Sequence, residues 1–496
     1  MRVDRSRSVL GLLMISVLVL AGTTSLAAPM VPASVGPAVS VAPAPQQEGG
    51  PTTESAWLGL TDAERQAIEA HASGYKAFMA KAKTELSFVA EAVKMARAAG
   101  FQELRDDSPL TPGAKYYDVN RDRTIVLMII GREDLEDGCR IIGAHTDSPR
   151  LELKARPLYE SQEFVLVQTS NHGGLKNYQW TNLPLAMMGR VDKKDGTTVW
   201  IDVGNQPDDP IFILPDLSPH VDYEMSGRSY GEIIQAEEMD PIVGHIPGQG
   251  KSVSAMVVDY LKATYDIDVA DLVSAELALV PAMPPRDIGF DRGLMAIYGQ
   301  DDRLSSYAAL RAILDTEAPQ YTALAYLVDN EEVGNVNNTG AASSYLVDLL
   351  SRLMYMDLGD DYREPMLRRA LAHTHVISAD VNPGVHPIWP GAFERGNAAR
   401  LGYGIGLKLY GRGFNANSEY IAWIRDLFDR EDIPWQTIMY KVGRGGGGTI
   451  GSELSDENMN VIDMGVPVLS IHTPYGVSSK VDVYALYRGF RAFFGG

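Results

Sequence analysis

Cysteine is nearly absent from this chain of 496 residues, in which Cys139 is the only one. No disulfide bond can form within the chain, so the small disulfide-stapled folds of many secreted proteins are excluded. Stability must come from buried apolar surface, and a hydrophobic content of 45% allows a sizeable core at this length. The length itself allows two or three domains.

Basic charge and long apolar runs are also scarce. The chain has 44 Lys and Arg against 64 Asp and Glu, which gives a net charge of −20 at pH 7. Nucleic acids and anionic membrane surfaces select for positive patches, so this balance argues against both as partners. After residue 28, no segment has the length and apolarity of a membrane span, and we expect no stable membrane insertion.

The first 28 residues carry the pattern of an export signal. A basic start precedes a mostly apolar run over residues 9–21, and small residues at 25–27 offer a cleavage site. We therefore predict a signal peptide over residues 1–28 and an exported protein, either periplasmic or secreted. An uncleaved anchor is the alternative, although the apolar run is short for a membrane span.

Four apolar runs lead into residue types that bind metal ions. Runs of this kind between polar residues are typical of buried strands, and ligands bind outside the carboxyl ends of strands in open α/β sheets. The side chains that follow the runs are therefore expected to gather at one edge of a sheet. They are His145 after residues 141–144, Glu331 and Glu332 after 323–328, Asp380 after 376–379, and His472 after 468–471.

A fifth motif, Asp301-Asp302-Arg303, lies before a helical pattern of apolar residues. Taken alone, each motif has an ordinary explanation: a single histidine usually lies in a core or a loop, and paired acids usually face solvent or favour the start of a helix. The presence of the whole set in one chain is what indicates a site. Histidine nitrogens and carboxylate oxygens suit zinc, so the sequence predicts a two-metal hydrolase.

At these residues the chain resembles the aspartyl aminopeptidase family. The family's Asp-Asn-Leu stands here as Asp301-Asp302-Arg303, a variant closer to related tetrahedral aminopeptidases. The resemblance runs from near Tyr75 to near Phe490, which is most of the chain. The other matching motifs are His-Thr-Asp-Ser-Pro at His145 to Pro149, Glu-Glu-Val-Gly at Glu331 to Gly334, Ser-Ala-Asp ending at Asp380, Thr-Ile-Gly at 449–451, and Leu-Ser-Ile-His ending at His472.

The resemblance implies an α/β fold, with a mixed central sheet flanked by helices in a zinc-peptidase-like catalytic domain and an inserted β-rich dimerisation domain. Clusters of Val, Ile, Tyr and Trp between turn residues also predict strands over the insertion, residues 153–288. The catalytic domain would then consist of residues 57–152 and 289–496. Residues 29–56, rich in Pro and Ala, are predicted to be a disordered linker.

The resemblance also implies the metal ligands. It points to two Zn²⁺ ions, with Co²⁺ or Mn²⁺ as alternatives. His145, Asp301 and Asp380 would hold one ion, and Asp301, Glu332 and His472 the other. Asp301 would bridge them, because a carboxylate has an oxygen for each ion.

Two catalytic roles follow from the same match. Asp147 would accept the second ring N–H of His145 and fix the orientation of that ring. Glu331 would be the general base that takes a proton from the attacking water. Neighbouring side chains on an extended segment point to opposite faces, so Glu332 could bind a metal ion while Glu331 faces the water.

Two further residues match the family at less distinctive positions. The resemblance implies a homo-oligomer built from dimers, up to a dodecamer, in which His220 of the insertion reaches the active site of the neighbouring subunit. Lys408 would lie near the substrate pocket and pair with a substrate carboxylate. The alternatives are a histidine in a surface loop and a lysine on an exposed strand. The glycine run at 445–448 is either a pocket loop or a linker.

The activity implied by the resemblance is that of a zinc-dependent aminopeptidase that releases N-terminal residues, acidic ones among them, from peptides. Two segments depart from the family: residues 171–180, and Thr473-Pro474-Tyr475 after His472. These departures leave the preference for acidic residues open. Other functions on the same fold are a metal-dependent deacylase, a carboxypeptidase and a non-catalytic peptide-binding protein.

Overall fold

The computed structural model describes residues 50–410 and 415–495. Within these ranges the chain forms nine α-helices: α1 (Asp62–Met79), α2 (Glu85–Ala98), α3 (Val253–Tyr265), α4 (Gln300–Leu314), α5 (Tyr345–Leu358), α6 (Glu364–His373), α7 (Ser418–Arg430), α8 (Gly451–Asp456) and α9 (Lys480–Gly495). The same ranges contain twenty β-strands: β1 (Gln102–Glu103), β2 (Lys115–Asn120), β3 (Thr124–Ile129), β4 (Cys139–His145), β5 (Arg150–Ser161), β6 (Phe164–His172), β7 (Leu185–Asp192), β8 (Thr198–Val203), β9 (Ile242–Gly244), β10 (Ala275–Pro281), β11 (Arg286–Ile288), β12 (Leu294–Ile297), β13 (Thr322–Val328), β14 (His375–Ala379), β15 (Asn382–Pro383), β16 (Ile405–Lys408), β17 (Trp435–Ile438), β18 (Asn460–Gly465), β19 (Pro467–Leu469) and β20 (Gly476–Ser479).

The largest sheet has nine strands in the order β1-β2-β3-β13-β4-β14-β18-β16-β17. β13, β4, β14 and β18 are parallel, whereas β3 and β16 join this group through antiparallel pairs. Because parallel strands end at the same edge of a sheet, the ends of β4, β13 and β14 lie next to one another. The predicted fold class, a mixed central sheet flanked by helices, is confirmed.

Helices cover both faces of this sheet because its inner strands are apolar on both sides. On β13, Ala325 and Leu327 belong to one core, and Leu324 and Tyr326 belong to the other. The first core includes residues of α1, α2, α4, α7 and α9, and the second includes residues of α5, α6 and α8. Successive side chains of a strand point to opposite faces, so a continuous apolar run marks a strand that is buried on both.

The second sheet has six antiparallel strands in the order β8-β7-β10-β5-β6-β9. It is built from residues between Arg150 and Pro281, so it overlaps the predicted insertion of residues 153–288. Two smaller apolar cores pack against it. The segment is rich in strands as expected, and its role in dimerisation stays a prediction.

The third sheet corrects one expectation about the metal-binding edge. Its five short strands follow the order β11-β12-β20-β19-β15, and β19 is the strand that precedes His472. The expectation that all four apolar runs end at one sheet edge is therefore wrong for His472. Because β18 already occupies the position between β14 and β16, the chain that follows β18 leaves the central sheet.

The end of the predicted disordered linker is bonded to the catalytic domain. The amide of Thr52 donates to the carbonyl of Trp435 at 2.7 Å, and the amide of Trp435 donates to the Thr52 hydroxyl at 3.0 Å. The amide of Ala56 donates to the carbonyl of Gly402 at 2.7 Å. The linker prediction is wrong for these residues, because composition does not show the backbone partners that distant segments provide.

The predicted signal peptide, residues 1–28, and residues 29–49 of the predicted linker lie outside the described residues. Within the described ranges, no helix has the length and apolarity needed to cross a membrane.

Candidate metal centre

β4 ends at His145, and the start of α4 fixes the backbone there. Ser306 donates from Oγ to the carbonyl of His145 at 2.6 Å, and Arg303 donates from Nη1 to the carbonyl of Thr146 at 3.1 Å. All four residues are buried. The Asp-Asp-Arg motif therefore has a structural part, because Arg303 anchors the histidine segment beside Asp301.

Asp301 faces two histidines with its two carboxylate oxygens. Oδ1 lies 3.2 Å from Nε2 of His145, and Oδ2 lies 3.1 Å from Nε2 of His472. These histidines come from the central sheet and from the segment after β19. A carboxylate with one oxygen toward each histidine has the arrangement needed to bridge two metal ions.

Two compact groups of donor atoms share Asp301, and the atoms of each group lie within 4.8 Å of one another. One group is His145, Asp301 and Asp380, and the other is Asp301, Glu332 and His472. The structure thus brings together the two ligand sets that the sequence resemblance implies. His145 with Glu331 and Glu332 forms a third compact group.

Three donor atoms of these groups are buried and lie close to other ligand atoms without forming a hydrogen bond among the described residues: His145 Nε2, Glu332 Oε1 and Asp380 Oδ1. A buried polar atom without a partner costs free energy. Coordination of a cation would satisfy all three. Imidazole nitrogen and carboxylate oxygen are donors that zinc accepts, so the residues present fit the metal.

The centre concentrates negative charge in a buried place. Burial, together with the charges of Asp380 and Asp301, raises the pKa of Glu331 to about 8. Burial and nearby carboxylates also raise the pKa of Glu332 and of Asp380. Burial alone would raise the pKa of Asp301, but its contacts with the two histidines outweigh burial and lower that pKa. Divalent cations would neutralise this excess of negative charge.

Asp147 is fully buried, and both of its oxygens accept hydrogen bonds. Oδ1 lies 3.2 Å from Nδ1 of His145 and accepts from the amide of Glu331 at 3.1 Å. Oδ2 accepts from the amide of Glu332 at 3.1 Å and lies 2.9 Å from Nε2 of His172. The structure places Asp147 against the ring nitrogen of His145 that faces away from Asp301.

Glu331 and Glu332 lie in a single 3-10 turn and not on an extended segment. The expectation that their side chains alternate as on a strand is therefore wrong. Asn330 adopts a φ of 65°, which turns the chain away from the direction of β13. The two carboxylates diverge all the same: Glu331 Oε2 lies 3.7 Å from Nε2 of His145, and Glu332 Oε1 lies 3.4 Å from Nε2 of His472.

Lys408 is buried at the end of β16 and has partners within the chain. Its ammonium donates to the carbonyl of Gly447 and lies 3.9 Å from Oδ2 of Asp463. The alternative of an exposed strand lysine is wrong, because β16 lies between β18 and β17 in the central sheet. Gly447 belongs to the glycine run, so Lys408 ties that run to the end of β16. Burial raises the pKa of Asp463 to about 6, against the opposing effect of Lys408.

His220 lies in an exposed loop between β8 and β9 of the insertion. Its amide donates to Oγ of Ser218 at 3.4 Å. Among the described residues, no hydrogen bond or ion pair joins its side chain to the metal centre. The single chain does not bring His220 to the site, so its action in a neighbouring subunit stays a prediction.

Sequence reasoning missed two residues that border the centre. His172, the last residue of β6, contacts Asp147. Its only distinguishing feature in the sequence is that it lies in the segment that departs from the family. Tyr440 donates from its hydroxyl to Oδ1 of Asn382 at 3.1 Å, and Asn382 donates from Nδ2 to the carbonyl of Asp380 at 3.0 Å. Tyr440 follows β17 in a loop that carries no motif.

Comparisons with known proteins agree with this geometry. The family model for aminopeptidase I zinc metalloproteases (M18) matches residues 78–494. The chain belongs to the M18 family. The predicted class of enzyme, a metallo-aminopeptidase, is thereby confirmed.

Relatives in the M18 family match over nearly their whole length. A probable M18 family aminopeptidase 1 of Clostridium acetobutylicum is 38% identical over 455 residues, which are 89% of this chain and 97% of that protein. The crystal structure of an M18 aminopeptidase from Thermotoga maritima has a TM-score of 0.85 at 36% identity and covers 89% of this chain and 98% of its own. The mApe1 dodecamer of S. cerevisiae shares the fold at 22% identity, with a TM-score of 0.71 over 86% of this chain and 97% of its own.

Asp301→Ala is expected to weaken zinc binding at both donor groups together, because its two oxygens face both histidines. Asp380→Ala and His472→Ala each remove a donor from one group only and serve as matched controls. Zinc content after dialysis against increasing chelator is the measurement. An Asp301→Ala protein that keeps as much zinc as either control would show that the two groups do not share this ligand.

Proposed function

We propose that this M18 aminopeptidase binds two zinc ions, one in each donor group, and that Glu331 acts as the general base of peptide hydrolysis. The observation that carries the proposal is the position of Asp301. Its two oxygens lie 3.2 and 3.1 Å from the two histidines and would join the two groups into one centre.

Zinc ions bound there would lower the pKa of an attacking water and polarise the scissile carbonyl. The side chains of the protein supply the rest. Glu331 belongs to neither of the two groups that share Asp301, so its carboxylate is available to take a proton from the water. It would then pass that proton to the leaving amine. Asp147 holds the turn of Glu331 through the backbone amide, so the base does not need to be ordered when substrate arrives.

The proposed substrates are peptides with a free N-terminal amine. Acetylation converts this amine into an amide, which no longer presents a free N-terminus to the enzyme. A deacylase or a carboxypeptidase on the same fold would not lose activity on such acetylation. Release of free N-terminal amino acids from a peptide, and its loss on N-acetylation, therefore distinguishes the aminopeptidase from both alternatives.

Assembly through the insertion is part of the proposal. The insertion exposes several large apolar side chains: Trp200, Ile211, Leu217, Val221, Tyr223, Tyr230 and Ile246. Contiguous exposed apolar patches are typical of surfaces that bind another protein, and Ile211, Leu217, Val221, Tyr223 and Tyr230 all belong to the single loop between β8 and β9 that carries His220. His220 lies within this part of the chain, next to Val221. A dimer formed over this surface would bring His220 to the neighbouring subunit, as the resemblance implies.

Glu331→Gln is expected to keep both zinc ions and to lose turnover by roughly 10²–10⁴-fold, because the amide cannot accept the proton. Glu332→Gln is the matched control, since it changes a proposed ligand and is expected to lower zinc content as well. Turnover of an aminoacyl-amide substrate and zinc content are measured on the same preparations. Normal turnover in Glu331→Gln, or loss of zinc from it, contradicts the role of general base.

A mixture of His220→Ala, which is expected to lower turnover, with inactive Glu331→Gln tests whether His220 acts in the active site of the neighbouring subunit. A dimer of His220→Ala with Glu331→Gln places an intact His220 beside an intact Glu331 at one of its two sites. Random exchange of equal amounts is expected to restore about a quarter of the wild-type turnover. His245→Ala, at another exposed histidine of the insertion, is the control and should be active alone. If subunits exchange and no turnover returns, His220 does not act across the interface.

We also propose that residues 1–28 are removed on export. The mature chain is expected to begin near Ala28 and to be found outside the cytoplasm. N-terminal sequencing of the protein from its native cells, with cell fractionation, is the measurement. Recovery of Met1 from the cytoplasmic fraction contradicts export.

A further inference from the structure

The second sheet touches the metal centre through three consecutive residues, His172-Gly173-Gly174, at the end of β6. His172 lies with Nε2 at 2.9 Å from Oδ2 of Asp147. The carbonyl of Gly174 accepts a hydrogen bond from Nδ1 of His472 at 3.0 Å. One short segment of the insertion therefore reaches the outer side of both proposed zinc sites of the metal centre.

Gly173 lets this segment approach closely. A Cβ atom at Gly173 would lie 2.9 Å from Oε2 of Glu332, and its φ of +70° is one that other residues rarely adopt. A Cβ atom at Gly174 would lie 3.5 Å from Nδ1 of His472. The backbone is thus packed directly against proposed ligands, and glycine is favoured at the first of these positions.

The contact behind each histidine determines which ring nitrogen it presents to the centre; the segment contacts His472 directly and His145 only through Asp147. His145 has Nδ1 against Asp147, and His472 has Nδ1 against the carbonyl of Gly174. In both rings Nε2 is left facing Asp301. A hydrogen bond to the second nitrogen of a ligating histidine fixes its tautomer and its orientation.

His172 is itself held by a row of charges, in which Arg150 and Glu85 are buried and Glu152 is partly exposed. Its Nδ1 lies 3.1 Å from Oε1 of Glu152, which also accepts from Arg150 at 2.7 Å. Arg150 pairs in turn with Glu85, at the start of α2, at 2.9 Å. Burial opposes a charge on His172, but its two carboxylate partners outweigh burial and raise its pKa to about 9. The row runs from Glu85 on α2 through Arg150 and Glu152 on β5 to His172 on β6, which contacts Asp147.

We propose that His172 is a positioning residue through which the inserted domain sets the zinc affinity of the centre. It does so by holding Asp147, whose oxygens in turn fix the ring of His145 and the amides of Glu331 and Glu332. This inference rests on the proposed zinc centre. A fold in which the insertion were displaced would leave Asp147 with fewer donors, and the ligands would be less well ordered.

The test is a pair of amide substitutions that keep different contacts. The terminal N–H of glutamine can take the place of Nε2 of His172 and still donate to Asp147. The shorter asparagine reaches only the place of Nδ1, near Glu152. We expect His172→Asn to weaken zinc binding by about 10–100-fold, the usual effect of losing such a supporting contact, and His172→Gln to remain near the wild-type value.

Zinc affinity is measured by titrating the zinc-free full-length proteins against a competing chelator, without a substrate. Urea unfolding of the same zinc-free samples shows whether the two variants are equally stable, and His245→Asn controls for loss of a histidine elsewhere in the insertion. Weaker zinc binding by His172→Asn than by His172→Gln, at similar stability, supports the proposal. Equal zinc affinity of the two variants overturns it. A wild-type chain that binds fewer than two zinc ions contradicts the proposed two-zinc function instead, and the zinc stoichiometry separates these results.

Discussion

Repulsion between partly buried carboxylates is the constraint on which the rest of this structure depends. Asp301, Glu331, Glu332 and Asp380 approach one another at the metal centre, and such charges are costly to bury unless they are compensated. These carboxylates lie on separate rigid elements: the start of α4, the turn after β13 and the end of β14. Their positions are set by two packed cores and not by mutual attraction. Cations that bind there are attracted by carboxylates that are already in place. Little binding free energy is therefore lost in ordering the side chains.

Much of the centre could be predicted because its ligands follow strong local patterns. His145 and Asp380 come directly after strands that are buried on both faces, and such strands show in the sequence as unbroken apolar runs. His472 was assigned to the wrong sheet, because a run of four apolar residues does not reveal its pairing partner. The turn at Glu331 was missed, because a single left-handed residue before it reverses an otherwise extended pattern. His172 left no usable signal, because its partner Asp147 is 25 positions away, in the loop between β4 and β5.

The lysine that the sequence resemblance implies for substrate binding already has partners within the chain. Lys408 donates to the carbonyl of Gly447 and lies near Asp463, so an acidic substrate side chain would compete with both. The neighbouring hydroxyl of Tyr440 is bonded to Asn382 and faces the same competition. A role of Lys408 in binding an acidic N-terminal residue would therefore require the substrate to replace these internal partners.

The short segment around Thr52 has a consequence for association between chains. β17 is the last strand of the central sheet, and the outer side of such a strand exposes backbone groups that can pair with another molecule. Thr52 bonds to both the amide and the carbonyl of Trp435, the first residue of β17. It therefore acts as a cap against edge-to-edge aggregation. Proteolytic trimming that stops before Thr52 keeps the cap, whereas trimming beyond it frees the amide and the carbonyl of Trp435 for pairing with another chain.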